Sequence, residues 1–259
     1  MKTPPTSISL VIPMYNEEES IEHAIACAVA ALESFGGDYE IIIVDDASTD
    51  RSAEIVRREM AANPRIRVLR HEVNRKLGGA LKTGYGAATK EVVVYMDADL
   101  PFDPEVIGRA TRALHVTRAD MIAGYRLDRT TEGFRRTVYS YLYNTLIGLL
   151  FGWPHRDVNF SFKLMRREVL EAIELRSEGS LIDAELIVKA RNLGFVIQQL
   201  GLDYFPRTRG HSTLSSPSVI LKILRELVAL YPEMRHPRRK DRREAQTSSE
   251  PFEAPARGH

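Results

Sequence analysis

One cysteine, Cys27, occurs in 259 residues. That excludes a disulfide framework and a Cys-rich zinc site, and it fits a reducing compartment. No clean run of about 20 apolar residues is present to span a bilayer, although one stretch comes close. The first residues, MKTPPTSISLVIP, have no long apolar core followed by a small-residue cleavage site, so no secretory leader is expected. No internal repeat is visible. The Gly-bearing segment from Gly78 to Gly86 lacks G-x-G-x-x-G spacing, which argues against a dinucleotide-dependent dehydrogenase. Net charge is scarce too, with 36 Lys+Arg against 35 Asp+Glu. An apolar content of 44% and a charged content of 27% exclude wholly disordered, collagen-like and coiled-coil chains.

The small net charge hides an uneven distribution. Residues 235–259 are basic and rich in Pro, Ser and Glu, and read as a disordered tail. Residues 1–234 are mildly acidic and read as one catalytic domain. Nucleic-acid binding would rest on this one basic run, which is weak evidence, so no nucleic-acid partner is expected. The oligomeric state is left open.

Apolar runs alternate with amphipathic stretches along the first hundred residues. ISLVIP (8–13), YEIIIVDD (39–46), IRVLRH (66–71) and EVVVYMDADL (91–100) read as strands. Helices are expected over 17–35, 51–62, from Gly79 to about Ala88, and over 104–116. Glu17 to Glu19 would fill a first turn, and Ser48 to Asp50 would cap the second helix. Such alternation predicts an α/β fold of right-handed βαβ units around a mostly parallel sheet. Strands are also expected at 121–126, 158–166 and 195–205, and helices at 181–193 and 219–231.

Ligands of such sheets bind at the carboxyl ends of the strands. Asp45, Asp46, Asp97 and Asp99 stand at those ends. Strand alternation places Asp97 and Asp99 on one side of the chain. Two adjacent carboxylates repel unless a divalent cation lies between them, and hard oxygen ligands favour Mg²⁺ or Mn²⁺. A solvated strand-end turn is the plainer reading of the same residues.

The ordered set P-x-Y-N-E, V-D-D-x-S-T-D, N-x(3)-G-G-A-L-x-x-G and D-A-D-L resembles the family 2 glycosyltransferases of the GT-A fold. The nearest likeness is to the dolichol-phosphate mannosyltransferase and polyprenyl-phosphate glycosyltransferase branch. It runs from about Ile8 to Leu214. Gly124-Tyr125-Arg126 resembles the family's G-S-R, and Arg136, Ser140 and Asn144 its R-x(3)-S-x(3)-N helix. Asp157 with Phe162 to Arg166, Leu181 to Leu186, and Arg207 to Ser212 resemble three further family motifs. Two positions depart: Pro101 stands where Gln is frequent, and Thr213 where Lys is frequent.

The resemblance implies a Rossmann-like GT-A domain. It also implies that Pro13, Tyr15, Glu17, Val44 and Asp46 hold a nucleotide. Asp97, Ala98 and Asp99 would hold the metal and the diphosphate. Arg126, Arg136 and Arg207 would meet phosphates of donor and acceptor, with Ser140, Asn144 and Ser212 on the acceptor side. The implied reaction is inverting transfer of a hexose, from a GDP-mannose or UDP-glucose type donor, to a polyprenyl phosphate. A phosphate monoester has a second pKa of about 6, so this nucleophile is already anionic and needs no general base. Asp183 and Glu185 would be the base if the acceptor were a hydroxyl; otherwise they orient arginines or simply begin a helix. The rival readings are a soluble family 2 transferase with a saccharide acceptor and a non-catalytic nucleotide-sugar binder.

TVYSYLYNTLIGLLFGWPH (137–155) has no Asp, Glu, Lys or Arg. It reads as an interfacial, lipid-cradling helix or as a buried core helix. With the basic run after residue 234, it predicts a peripheral protein on the cytoplasmic face of a membrane.

Overall fold

The computed structural model describes residues 6–128, 134–152, 155–204 and 217–240; in the helices that begin at residues 134 and 217, the side chains of 134–136 and 217–220 lie outside that description. Four parallel strands come first in the chain: β1 (Ile8–Met14), β2 (Tyr39–Asp45), β3 (Ile66–Arg70) and β4 (Val92–Met96). Between and after them run α1 (Ile21–Phe35), α2 (Ser52–Ala62), α3 (Lys76–Ala87) and α4 (Val106–Val116). The second half contributes β5 (Met121–Arg126), α5 (Phe134–Phe151), β6 (Phe162–Arg166), α6 (Arg167–Ala172), α7 (Ile182–Asn192), β7 (Ile197–Leu202) and α8 (Pro217–Arg235).

The strands form one sheet of 7 in the order β3-β2-β1-β4-β6-β5-β7. Only β6 runs against its neighbours, antiparallel to both β4 and β5. Every residue of β2 and β4 is buried, as expected of strands covered on both faces. Alternate residues serve opposite faces. Leu10 and Ile12 join Ile25, Leu32, Val56, Ile107 and Leu114, so α1, α2 and α4 cover one face. Val11, Ile42 and Val44 join Leu81, Tyr85, Ile147, Ile187 and Leu227, so α3, α5, α7 and α8 cover the other. A Cβ added at Gly84 would stand 2.3 Å from Val11 Cγ1, which is why α3 crosses β1 at a glycine.

Chain direction along the sheet reverses between β1 and β4. Their carboxyl ends therefore flank the crevice where a sheet of this kind takes its ligand. The turns there are strained. Asn16, Ala47, Lys76 and Leu100, one beyond each of β1 to β4, take φ values of 55°, 65°, 61° and 50°. Left-handed backbone at such residues costs about 1–2 kcal/mol each, and is retained where the surroundings impose it.

Several boundaries shift from the sequence expectation. The helix expected from residue 17 starts at Ile21, so Glu17 to Glu19 form the turn before it. The strand expected over 158–166 begins at Phe162. The helix expected over 219–231 extends over Pro217–Arg235.

Candidate active site

Backbone and short polar side chains stitch the loops after β1 and β2 together. Asp46 N donates to Met14 O at 2.8 Å. Asn16 N donates to Ser48 Oγ at 3.0 Å, and Thr49 N returns a bond to Asn16 Oδ1 at 2.8 Å. Glu17 N donates to Ser52 Oγ at 2.8 Å, and Glu18 N to Asp50 Oδ2 at 3.1 Å. The V-D-D-x-S-T-D segment thus braces the P-x-Y-N-E loop. Asp50 also accepts from Ser52 N at 3.0 Å, but the N-cap position of α2 falls on Arg51 and has no side-chain cap bond, so the cap expected from Ser48 to Asp50 lies one residue too early.

Within this frame the expected nucleotide residues take different places. Tyr15 is 48% exposed at the crevice, an open ring for a base to stack on. Pro13 is half-buried beside it. Val44 lies wholly in the core, and Ala98 packs into the opposite core layer, so their side chains are not at the surface. Glu17 accepts from Ser20 Oγ at 2.7 Å. Asp46 is buried; its Oδ1 lies 2.7 Å from His71 Nδ1 and accepts from Arg75 N at 2.8 Å. His71, which sequence reasoning missed, reaches on to Thr83 Oγ1 at 2.9 Å and ties the β3–α3 turn to this carboxylate.

Asp97 and Asp99 are half-buried in the turn just beyond β4, outside the strand on which their alternation was expected. Asp97 Oδ1 accepts from Tyr95 Oη at 2.7 Å. Burial, and then the Asp97 charge, push the Tyr95 phenol far above its ordinary range, so it stays a donor. Among the described residues no group of three or more His, Cys, Asp or Glu side chains forms a metal cage. Two carboxylates fit instead an ion of the Mg²⁺ or Mn²⁺ type, which takes one or two protein carboxylates and completes its shell with phosphate oxygens and water.

The far side of the crevice is made of buried charges. Arg126 is buried at the end of β5, and Asp157 grips it as a fork: Nε to Oδ2 at 2.6 Å and Nη2 to Oδ1 at 2.8 Å. Its guanidinium carbon lies 5.7 Å from the Phe160 ring and 5.3 Å from the Tyr204 ring. Much of the fork expected to meet phosphate is thus committed to Asp157. Asn144 is committed as well: Val158 N donates to its Oδ1 at 3.0 Å, and its Nδ2 donates to Arg156 O at 3.2 Å. It braces the 156–158 turn that carries Asp157, where a direct phosphate contact was expected. Ser140 is half-buried on the same helix. His155, beside this turn, is pulled down to about 3 by burial and by the Lys163 charge, and so is neutral near pH 7.

Asp183 and Glu185 sit in the first turn of α7, the plainest of the three parts expected for them. Asp183 is buried, and its Oδ1 lies 2.5 Å from Lys163 Nζ, an ammonium with no exposed area. Burial raises its carboxyl above the usual range despite Lys163. Glu185 accepts from Arg176 N at 2.9 Å, Ser177 N at 2.8 Å and Lys189 Nζ at 2.6 Å. Both acids thus hold buried cations or backbone N–H groups inside the protein. Lys163 was legible as a cation set between apolar residues in the strand F-K-L-M-R. The side chain of Arg136, and Arg207 and Ser212 entirely, lie outside the described residues.

The family model for glycosyl transferase family 2 matches residues 9–174. The chain belongs to glycosyl transferase family 2. It is 38% identical over 168 residues to an undecaprenyl-phosphate 4-deoxy-4-formamido-L-arabinose transferase of Edwardsiella ictaluri, covering 64% of this chain and 51% of that protein. It is 31% identical over 175 residues to a dodecaprenyl-phosphate galacturonate synthase of Rhizobium johnstonii, covering 66% and 51%. The chain thus spans about half the length of these relatives. Among solved structures, glucosyl-3-phosphoglycerate synthase of Mycobacterium tuberculosis with Mn²⁺, UDP-glucose and phosphoglyceric acid superposes with a TM-score of 0.67, covering 88% of this chain and 80% of that one at 20% identity. That likeness confirms the GT-A fold. The match to the family model ends before α7 and α8, so Asp183 lies beyond it.

Proposed function

We propose that this family 2 chain transfers a sugar from a nucleoside diphosphate donor to a polyprenyl phosphate at a membrane surface. The observation that carries the reading is the link between α5 and the crevice. On one side α5 exposes Tyr139, Tyr141, Leu142 and Leu149, at 44%, 68%, 56% and 80%. Through Asn144 the same helix braces the turn that holds Asp157 and hence Arg126. A lipid tail lying along this helix would bring its phosphate toward the arginine end of the crevice. Relatives named for undecaprenyl and dodecaprenyl phosphate support this acceptor class.

Tyr15 and the braced loops after β1 and β2 would hold the nucleoside. Asp97 and Asp99 would hold Mg²⁺ or Mn²⁺, which when bound neutralises the leaving diphosphate. Arg126, Arg136 and Arg207 complete the phosphate-facing charge in this reading, with Ser140 and Ser212 near the acceptor. An acceptor phosphate arrives anionic, in keeping with Asp183 and Glu185 being occupied elsewhere. The attacking oxygen then needs orientation more than deprotonation.

No helix among the described residues is long and apolar enough to cross a membrane. Leu221, Leu224 and Val228 of α8 are exposed at helical spacing, near exposed Lys222 and Arg225. Such a helix can lie in an interface beside anionic lipids, so we place the protein peripherally on the cytoplasmic face. Labelled GDP-mannose and UDP-glucose, each incubated with the protein, Mn²⁺ and a polyprenyl phosphate, test the reading after organic extraction. Metal-dependent label in the organic phase is expected. Label that stays in the aqueous phase with both donors would count against a lipid-phosphate acceptor for these sugars.

A further inference from the structure

The metal-facing end of β4 is supported by a side chain that no binding motif includes. Tyr95 and Asp97 are two residues apart, so they leave the strand on the same side. Tyr95 is 1% exposed and its hydroxyl reaches Asp97 Oδ1 at 2.7 Å. Across the antiparallel ladder Tyr95 stands opposite Lys163, whose Nζ lies 5.7 Å from the ring centroid. That ammonium is held by Val158 O at 2.9 Å, Phe160 O at 2.5 Å and Asp183 Oδ1 at 2.5 Å. The result is a buried column running from α7 through β6 to the end of β4.

We propose that Tyr95 is a positioning residue for the cation site: its hydroxyl fixes the orientation of the Asp97 carboxylate, and the Lys163–Asp183 pair fixes the ring that carries the hydroxyl. The inference rests on the reading of Asp97 as a metal ligand. A carboxylate at a strand end turns about two side-chain bonds, and ligating an ion stops both. A hydroxyl that has already stopped them makes the site ready before the ion arrives. Partners of this kind behind a ligand are typically worth about 10–100-fold in metal affinity. Lys163 contributes by geometry as well as charge: with no exposed area, it leaves the Tyr95 ring no room to swing away.

The test is Mn²⁺ binding by the full chain, followed by loss of the free-ion electron paramagnetic resonance signal, with UDP or GDP present. Tyr95→Phe keeps the ring and removes only the donor. Binding weakened about tenfold or more is expected, with the thermal midpoint of the metal-free protein little changed. In an Asp97→Asn background the same change should have no further effect, because the hydroxyl acts through that carboxylate. Unaltered binding in Tyr95→Phe would overturn the proposal, and so would an equal loss in the Asp97→Asn background. Failure of the unsubstituted protein to take up Mn²⁺ with either nucleotide would remove the metal reading itself. A crystal structure of the unsubstituted protein with Mn²⁺ and UDP gives an independent check. Tyr95 Oη should stay within about 3.2 Å of Asp97, and its departure on metal binding would refute the positioning role.

Discussion

The two sides of the crevice are held by different physics. On the β1–β2 side, main-chain N–H groups donate to Ser48, Ser52, Asp50 and Asn16, all within two adjacent loops. On the β5–β6 side, two buried ion pairs hold the structure from inside the protein: Arg126–Asp157 and Lys163–Asp183. Single short bonds of this kind tolerate loss, at about 1 kcal/mol each and somewhat more where the acceptor is the Asp50 carboxylate. A buried ion pair does not, because losing one partner strands the other charge. The β1–β2 side should therefore be mutationally forgiving and the β5–β6 side brittle.

The largest expected effect tests brittleness directly. Lys163→Met leaves Asp183 buried without its counter-ion, and should cost about 3–5 kcal/mol in urea unfolding. Adding Asp183→Leu should recover much of that loss; no recovery would mean that the two charges do not act as a pair. Next comes Asp97→Asn, which should lower kcat/KM by about 10²–10³ with little change in unfolding midpoint. The pH dependence separates the sides again. His155 titrates at about 3 when folded against 6.5 ordinarily, so the unfolded chain takes up the proton first. Stability is therefore fully present above pH 6.5 and falls as pH drops through that window toward 3, by at most about 1.4 kcal/mol per pH unit from this group. His155→Gln should flatten the acid limb of a thermal-midpoint profile. On the forgiving side, Ser48→Ala should cost only about 1 kcal/mol, measured in the same unfolding assay. The smallest effect on stability belongs to Leu149→Ser on exposed α5, within about 0.5 kcal/mol, although binding to anionic vesicles should weaken.

The same contrast decides what could be read from sequence. Continuous apolar runs reveal β1, β2 and β4, because both faces of those strands are covered, and a period of about four residues reveals the helices between them. The acids at their ends follow from that pattern. Lys163 and Asp183 are 20 residues apart on different elements, and no local period joins them. The antiparallel insertion of β6 between β4 and β5 was equally hidden, since strand order depends on long-range packing. Asn144 was found through its motif, but its amide proved to bind backbone, a contact that spacing on one helix does not reveal.

The direction of β6 has a consequence for how such proteins diversify. A strand running against its neighbours brings its beginning, not its end, to the ligand edge. The segment from α5 to Lys163 therefore reaches the arginine end of the crevice, where it supplies Asn144 and Asp157. Grafting the corresponding segment of a relative with another acceptor should change what is glycosylated while the donor and its base stay the same.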